Sequence, residues 1–431
     1  MIVGGGLIGL LTAAELRERG ATVTVVEKDD VGFEQSARSV AAVNLPGGPP
    51  NPDPAAGVLR RSAEEWAGFE ERWGCKIDLN GEGWFIVVAD EEDQAWLDTE
   101  RATFSSTAGF TESTMLTAEE ARRRFPQLTG PLLALDARHG GHVDAIMVMN
   151  GLRKAATDRG VDIRCGVLAT GFRARGGMID AVLTRDGSIG CGVVVVAAGL
   201  WSPYLCDLLG LHLPMQRVRA PAVETGPVPP GTIPGFLRGA TFGARQNRNG
   251  TVRITGGYRF SAMLHDVSLH DLRDLRTWVP AFWQNRKDVS LRFDWRGLKS
   301  ELECAVATRR RGDGEVVVPQ GYYPPSSPRD RYPQLGALAE LIPAMRATRI
   351  HRHFSGVMDL MPDLQPVLGP VPGTENAYVA TGLSGHGYLY GPGSCIAVAE
   401  LVSDGRTAID LSAFRPERFA EGRTRMREQI F

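Results

Sequence analysis

Apolar and polar positions change period along this chain in a way that predicts an α/β protein. Met1 to Val3 are apolar and lead into Gly4-Gly5-Gly6-Leu7-Ile8-Gly9; Leu10 to Arg19 then follow a helical period, which Gly20 stops. Ala21 to Val26 alternate as a buried strand closed by Glu27. Only Met1 to Val3 precede the first glycine, short for a first strand, so a few residues are expected to be missing from this start. Further on, a helical stretch runs from His142-Val143-Asp144 to Ala156, strands are predicted at Val161 to Val167 and Met178 to Thr184, and Val193 to Ala198 is wholly apolar. That strand ends in Gly199-Leu200-Trp201-Ser202. Leu335 to Met345 reads as a helix, Phe354-Ser355-Gly356 starts a strand, and Met361-Pro362-Asp363 makes a turn. Ala377 to Thr381 is a buried strand that enters Gly382-Leu383-Ser384-Gly385-His386-Gly387-Tyr388, and a helix follows to Val402.

Between Ala220 and Tyr332 the pattern differs. Arginine, aromatic residues and proline accumulate, and alternation at Thr251 to Gly256 and Val289 to Phe293 predicts strands. Thr117-Ala118-Glu119-Glu120 is a capping box that opens a short helix ended by Pro126. With 431 residues, two domains are expected. The boundaries read as a discontinuous Rossmann-type nucleotide-binding domain (1–45, 142–215 and 345–431) and a second, sheet-rich α+β substrate domain (46–141 and 216–344), with an insertion at 265–323. Trp278, Trp283 and Trp295 within the insertion are expected to pack a core, with a lid or partner surface as the alternative.

The first 27 residues carry specific chemistry. G-x-G-x-x-G lies between a strand and a helix, and an acid follows about 20 positions on, which together form a dinucleotide-binding fingerprint. Gly4 permits the tight turn, Gly6 lets backbone approach a pyrophosphate, and Gly9 lets helix and strand pack closely. The helix start, with Leu7 and Ile8 in its first turn, offers free N–H groups and a positive dipole end to phosphate. Glu27 would accept hydrogen bonds from ribose hydroxyls and repel a 2′-phosphate, which argues against NADP. The unit alone leaves FAD and NAD open. Gly199 and Trp201 form a turn at a strand's carboxyl end, where open α/β sheets place ligands. The small-residue stretch from Gln35-Ser36-Ala37-Arg38-Ser39 to Pro50 is a candidate to lie against a flat ring.

A formal net charge of -2 provides no field to gather nucleic acid or anionic membrane, so neither is expected as a partner. The arginine runs at 122–124 and 309–311 read as solvated faces. The six cysteines, Cys75, Cys165, Cys191, Cys206, Cys304 and Cys395, show no metal-ligand spacing, and no metal site is expected. No apolar run approaches the ~18 residues of a membrane span, and the chain opens without the charged and apolar regions of a secretory signal. The expected location is cytoplasmic.

Taken in order, these pieces resemble the D-amino-acid oxidase superfamily of FAD enzymes, which includes glycine oxidase, the sarcosine oxidases, and subunits of proline and opine dehydrogenases. The carriers are GGGLIG at Gly4 to Gly9, Glu27-Lys28, the Ser36-to-Ser39 loop, VVVAAGLWS at Val194 to Ser202, and MPDLQPVLGPVPGTENAYVATGLSGHGY, whose glycine loop that family lays against the isoalloxazine ring. The resemblance favours FAD over NAD. It implies Gly4, Gly6 and Gly9 at the pyrophosphate, Glu27 and Lys28 at the adenosine ribose, Val167 at adenine, and Arg38, Ser39 and Gly356 near the flavin. Gly385, His386, Gly387, Tyr388 and Leu389 would border the ring, where backbone donors and the following helix would stabilise the reduced flavin. The implied reaction is oxidation of a C–N bond in an amine or amino-acid-like substrate by hydride transfer to flavin N5, giving an imine. Oxygen or an electron-transfer partner would take the electrons, and an oligomer or hetero-complex is compatible. Oxidation of a 2-hydroxy acid is the alternative within the fold.

The departures from the family concern substrate more than cofactor. Some members attach FAD to a cysteine just before the PD turn; Ser355, Gly356 and Val357 stand there, so non-covalent FAD is expected. The family's cationic anchors for a substrate carboxylate are replaced by Met358, Ala41 and Leu389. Either Arg253, Arg245 or Arg352 supplies a replacement, or the substrate offers no free carboxylate there; His353 is a candidate pocket base. Tyr258 joins Arg253, Arg352 and His353 as a candidate catalytic residue. Arg253 also lies near the position of an oxygen-activating lysine of sarcosine oxidases.

Overall fold

A computed structural model describes residues 1–47, 54–88, 94, 97, 113–129, 133–257, 264–266, 273–284, 290–292, 295–311, 315 and 333–422. Short strands at Ile2–Val3, Thr24–Glu27, Asp162–Cys165 and Val194–Val196 are parallel neighbours in a six-stranded sheet, which Ala377–Thr381 extends in parallel and Val367–Pro370 completes in antiparallel fashion. Strand order runs outward from Ile2–Val3 in both directions, through Thr24–Glu27 on one side and Val194–Val196 on the other. The carboxyl ends of Ile2–Val3 and Val194–Val196 therefore flank an uncovered crevice, the topological switch point where such sheets take their ligands.

The opening helix, Leu7–Glu18, and the closing helix, Gly387–Asp404, pack on this sheet. The sequence reading assigned 46–141 to the substrate domain, and the helix Pro54–Trp73 departs from that assignment. Its apolar residues Val58, Leu59, Trp66, Phe69 and Trp73 share one core with Leu7, Leu10, Tyr388 and Val398. Trp66 stacks on Phe69 and Tyr388 at ring centroid distances of 4.8 and 5.7 Å, and its Nε1 donates to the Tyr388 carbonyl at 2.7 Å. A helix with five large apolar residues on one side gains most by burying them against a neighbour, wherever the chain has placed it in sequence.

A ten-stranded sheet forms the other layer, in the order Ser290–Arg292, Leu264–Asp266, Gln216–Thr225, Val252–Thr255, Gly243–Gln246, Phe236–Arg238, Trp84–Val88, Leu133–Ala137 and Ser113–Leu116; Ile350–Leu360 also pairs with Gln216–Thr225. That last strand corrects the second boundary: counted with the nucleotide-binding part, it pairs instead from Gln216↔Leu360 to Thr225↔Ile350 in the larger sheet. Its paired residues include Ala220↔Gly356, so small side chains leave room at that point of the sheet. Thr117 caps the helix Ala118–Arg124 with both capping-box bonds present. Trp278 is buried and donates to the Pro214 carbonyl at 3.1 Å, as a core tryptophan does, whereas Trp283 and Trp295 are 71% and 76% exposed.

Candidate active site

The glycine turn is built by close approach. Gly4 has φ +113°, and a Cβ there would run into the Ala197 carbonyl, while a Cβ at Gly9 would fall far inside 3.0 Å of the Gly4 carbonyl oxygen. Gly6 differs: its missing Cβ would meet only Ser36 Oγ, at 3.1 Å, and Gly6 lines the cleft. Ser36 Oγ accepts from the Leu7 N–H at 2.9 Å, in the first turn of the opening helix. Glu27 lines the cleft too, and its carboxylate braces the turn by accepting from the N–H groups of Gly5 at 2.7 Å and Asp29 at 2.9 Å. Burial pushes the Glu27 carboxyl upward, and those two N–H groups pull it back. Glu27→Ala is expected to weaken FAD binding roughly tenfold, because a charged hydrogen-bond acceptor is lost to the loop; titration of ligand-free protein by flavin fluorescence checks this.

Beyond Glu27 the wall is set by a polar cluster. Lys28 bonds to Asp29 and, at 2.6 Å, to Glu34, which accepts from Trp201 Nε1 at 2.9 Å. The Lys28 ammonium lies 5.2 Å from the centre of the Trp201 ring. The Val167 N–H donates to the Glu27 carbonyl at 2.8 Å, so Val167 reaches the cleft beside the acid. Gly199, at φ +51°, has no room for a side chain because Gln35 Oε1 fills that space.

At the other end the loop before the closing helix turns through three residues of positive φ, Gly382 at +67°, Ser384 at +51° and Gly385 at +80°. Gly385, Gly387 and Tyr388 line the cleft. The Tyr388 hydroxyl donates to the Ser36 carbonyl at 3.0 Å, which ties this end to the phosphate-side loop. His386 and Leu389 do not line the cleft: His386 caps the helix with its ring edge-on to Tyr390, and Leu389 packs beside Trp84 and Phe236. Gly9 also lies behind the wall, where it lets the helix approach. The Met361-Pro362-Asp363 turn is held by Arg418, whose Nε and Nη2 donate to the two Asp363 oxygens at 2.7 and 3.2 Å with both side chains buried.

The cleft is continuous between these ends and encloses about 1560 Å³, its open mouth included. Of the residues expected at a cofactor, Gly4, Gly6, Leu7, Ile8, Glu27, Lys28, Ser36, Arg38, Ser39, Val167, Gly199, Trp201, Gly356, Gly385, Gly387 and Tyr388 line it. The candidate catalytic residues are placed differently. Arg253, 2% exposed, lies behind the wall and donates from Nη1 to the Ser39 carbonyl at 2.8 Å, with Glu224 3.4 Å from Nη2. Arg245 opposes it on the next strand, fully buried and bonded to Asn247. Arg352 is exposed, 5.5 Å from the Phe354 ring. His353 pairs with Val223, which belongs to the core of the larger sheet. Tyr258 lies outside the described residues.

The sequence reading missed Glu34, Ala220, Ala222, Thr255 and Asp359, all of which line the cleft; Gln35, the first residue of the stretch expected against a flat ring, lines it too. Asp359 is buried, and its carboxyl is pushed up to about 6 by that burial, with Gln35 and loop N–H groups opposing the shift. A raised value means that the fold favours the protonated form. The stability this group contributes is complete below its ordinary value of 3.8 and is lost as pH rises through about 6. In ligand-free protein Asp359→Asn should therefore raise the unfolding midpoint at pH 8 and leave it unchanged near pH 4, as thermal melts at the two pH values would show.

Residues 1–401 match the model of a family described as DAO, FAD dependent oxidoreductase. The chain belongs to this family. Among its relatives are the sarcosine oxidase subunit beta of Rhizobium meliloti (strain 1021), 26% identical over 98% of this chain and 88% of that one, and the glycine oxidase of Pseudomonas putida, 22% identical over 97% and 98%. The solved structure of an L-amino acid deaminase from Proteus vulgaris shares the fold, with a TM-score of 0.81 at 22% identity over 97% of this chain and 96% of that one. The chain is therefore an FAD-dependent oxidoreductase, and its cleft fits the cofactor. Glycine cradles that a Cβ would fill stand at the phosphate end, an acid follows one strand later, and backbone loops stand at the far end. No helix among the described residues is long and apolar enough to cross a membrane.

Proposed function

We propose that this chain holds FAD non-covalently and oxidises a C–N bond of an amine or amino-acid-like substrate, releasing an imine that water can hydrolyse. The observation that carries the reading is the single cleft running from Gly6 to Tyr388 in a chain matched along residues 1–401 by the family. The names of its relatives, glycine oxidase and sarcosine oxidase among them, support a C–N substrate. Among the described residues no cysteine lines the cleft, which supports non-covalent binding.

In this reading the opening-helix turn and Glu27 hold the nucleotide end, and Ser39, Gly356 and the Gly385-to-Tyr388 loop hold the ring. When bound, FAD supplies a two-electron acceptor for hydride. The chain's own part is to place the substrate and keep water out. Ala220, Ala222, Thr255 and Met358 offer a small, mostly apolar wall for this purpose, which favours an unprotonated nitrogen because a charge is costly to desolvate there. Arg253 acts from behind, fixing the Ser39 carbonyl and hence the loop that borders the ring. Arg253→Met is expected to cost about 3 kcal/mol of stability, since it strands Glu224 and two carbonyls that the buried guanidinium serves; urea unfolding measures the change.

Assembly with a protein partner, which could then take the electrons, is supported by the exposed Val279 on the helix Leu275–Gln284 and Leu302 on the helix Trp295–Arg311. A cytoplasmic location is supported by the six cysteines, none of which is joined in a disulfide among the described residues. The deciding experiment is the absorption spectrum of the purified protein, followed by anaerobic bleaching with amino acids, N-methyl amino acids and 2-hydroxy acids. Bleaching by an amine is the expected result, and bleaching by hydroxy acids alone would refute the C–N assignment. Stoichiometric peroxide on reoxidation would point to oxygen as the acceptor.

A further inference from the structure

We infer that Asp359 and Gln35 form a hydroxyl-recognition site at the waist of the cleft, where they take the polyol chain that joins the phosphates of FAD to its ring; the inference rests on the FAD reading above.

Asp359 is the penultimate residue of the strand Ile350–Leu360; it is 4% exposed and lines the cleft. Two distant segments converge on it. Gln35, the first residue of the short helix Gln35–Arg38, donates from Nε2 to Asp359 Oδ1 at 3.1 Å. The Leu383 N–H donates to Oδ2 at 3.3 Å, and the Ser384 N–H donates to the Asp359 backbone carbonyl at 3.1 Å. Ser384 in turn accepts from the Met361 N–H through its Oγ at 3.0 Å and holds φ +51°. The carboxyl is thus held from one side by Gln35, the neighbour of Ser36, and from the other by Leu383, two residues before Gly385, and all four of these residues line the cleft, as Asp359 does.

The chemistry of this position selects its ligand. The side-chain and loop groups that hold the carboxyl are amides, not cations, so its charge is only partly compensated and further donors stabilise it. A carboxylate accepts at about four positions; Gln35 and Leu383 donate to it at 3.1 and 3.3 Å, and the N–H groups of Asp359 itself and Gly382 stand near it without closing a bond of that length, so a ligand donor on the cleft side still finds an open acceptor. A phosphate placed here would meet a like charge at close range. A flat apolar ring would leave the remaining acceptor capacity unmet. Neutral hydroxyl groups satisfy it, and the part of FAD between diphosphate and ring is a hydroxylated chain. The raised Asp359 carboxyl described above agrees: the ligand-free protein bears a cost that donors from a ligand would relieve.

The test uses ligand-free full-length protein, FAD, and FAD analogues that each lack one hydroxyl of the ribityl chain, with affinity read by quenching of flavin fluorescence. Wild-type protein is expected to bind one analogue about tenfold more weakly than FAD, a difference of one hydrogen bond to a charged acceptor. Asp359→Ala should weaken FAD about tenfold yet change that analogue's affinity by less than about threefold, since the two losses remove the same contact. Asp359→Asn, which keeps the size of the side chain, should show the same pattern and covers the case in which the alanine variant does not fold. Equal weakening of FAD and every analogue by either variant would overturn the inference and leave Asp359 a loop brace. So would wild-type binding that is indifferent to every ribityl hydroxyl. Wild-type protein that takes up neither FAD nor any analogue would instead defeat the FAD reading itself.

Discussion

Replacing Gly9 with alanine should yield a protein that purifies without colour and binds added FAD at least about 100-fold more weakly than wild type, a loss of roughly 3 kcal/mol. The reason is geometric. A Cβ at Gly9 would overlap the Gly4 carbonyl oxygen, which is backbone and cannot swing aside as a side chain would. Gly4 is itself held by its φ of +113° and by its N–H bond to the Val26 carbonyl at 2.9 Å, so the strain moves into the turn that faces the phosphates. Overpacking of this kind costs about 1–3 kcal/mol in the empty protein as well. Gly6→Ala separates the two effects. Its Cβ would meet only Ser36 Oγ, at 3.1 Å, on the cleft side, so the fold should survive while the ligand is kept from the backbone. Fluorescence titration and urea unfolding of both variants check the pair: Gly9→Ala binding FAD like wild type would remove the close-approach argument.

Breaking the Asp363–Arg418 pair should have the largest effect on stability. Asp363→Ala leaves a guanidinium that is buried against the carbonyls of Phe414, Arg415 and Gln365 without its counter-charge. Loss of one partner of a buried pair costs about 3–5 kcal/mol. The damage should also reach the cleft, because Asp363 lies two residues after Met361, whose N–H bonds Ser384 Oγ in the ring-side loop. Weaker FAD binding is therefore expected alongside lower stability. Combining Asp363→Leu with Arg418→Met should recover much of the stability, since no buried charge is then left alone. Chemical denaturation of the single and double variants measures this; equal stability of Asp363→Ala and wild type would show that the pair is not what holds the turn.

Legibility in the sequence tracked the distance over which each feature is decided. The nucleotide end was readable because Gly4, Gly6, Gly9 and Glu27 lie within 27 residues and act through local geometry: a turn, a helix start and one strand. The ring-side loop was readable through the resemblance of Gly382 to Tyr388 to a known family, and Gly385, Gly387 and Tyr388 do line the cleft. Arg352 and His353 show the limit. Adjacent residues of a strand face opposite ways, and which of them meets a ligand depends on register with Gln216–Thr225, more than 100 positions earlier in the chain. That register pairs His353 with Val223 of the sheet core and leaves Arg352 at the exposed end. Asp359 carried no local signal, since its partner Gln35 is 324 residues away and acidic residues are common on surfaces.

The sequence by itself determined that a dinucleotide is bound, that two kinds of sheet are present, and where the glycine turns fall, because backbone conformation and hydrophobic period are written within a few turns of helix or strand. Only the tertiary structure decided that the helix Pro54–Trp73 joins the nucleotide-binding core, that Ile350–Leu360 belongs to the larger sheet, and that Asp359 stands buried in the wall of the cleft. Those outcomes depend on which apolar faces meet and on the register of long antiparallel strands, and both are settled by packing among segments far apart in the chain.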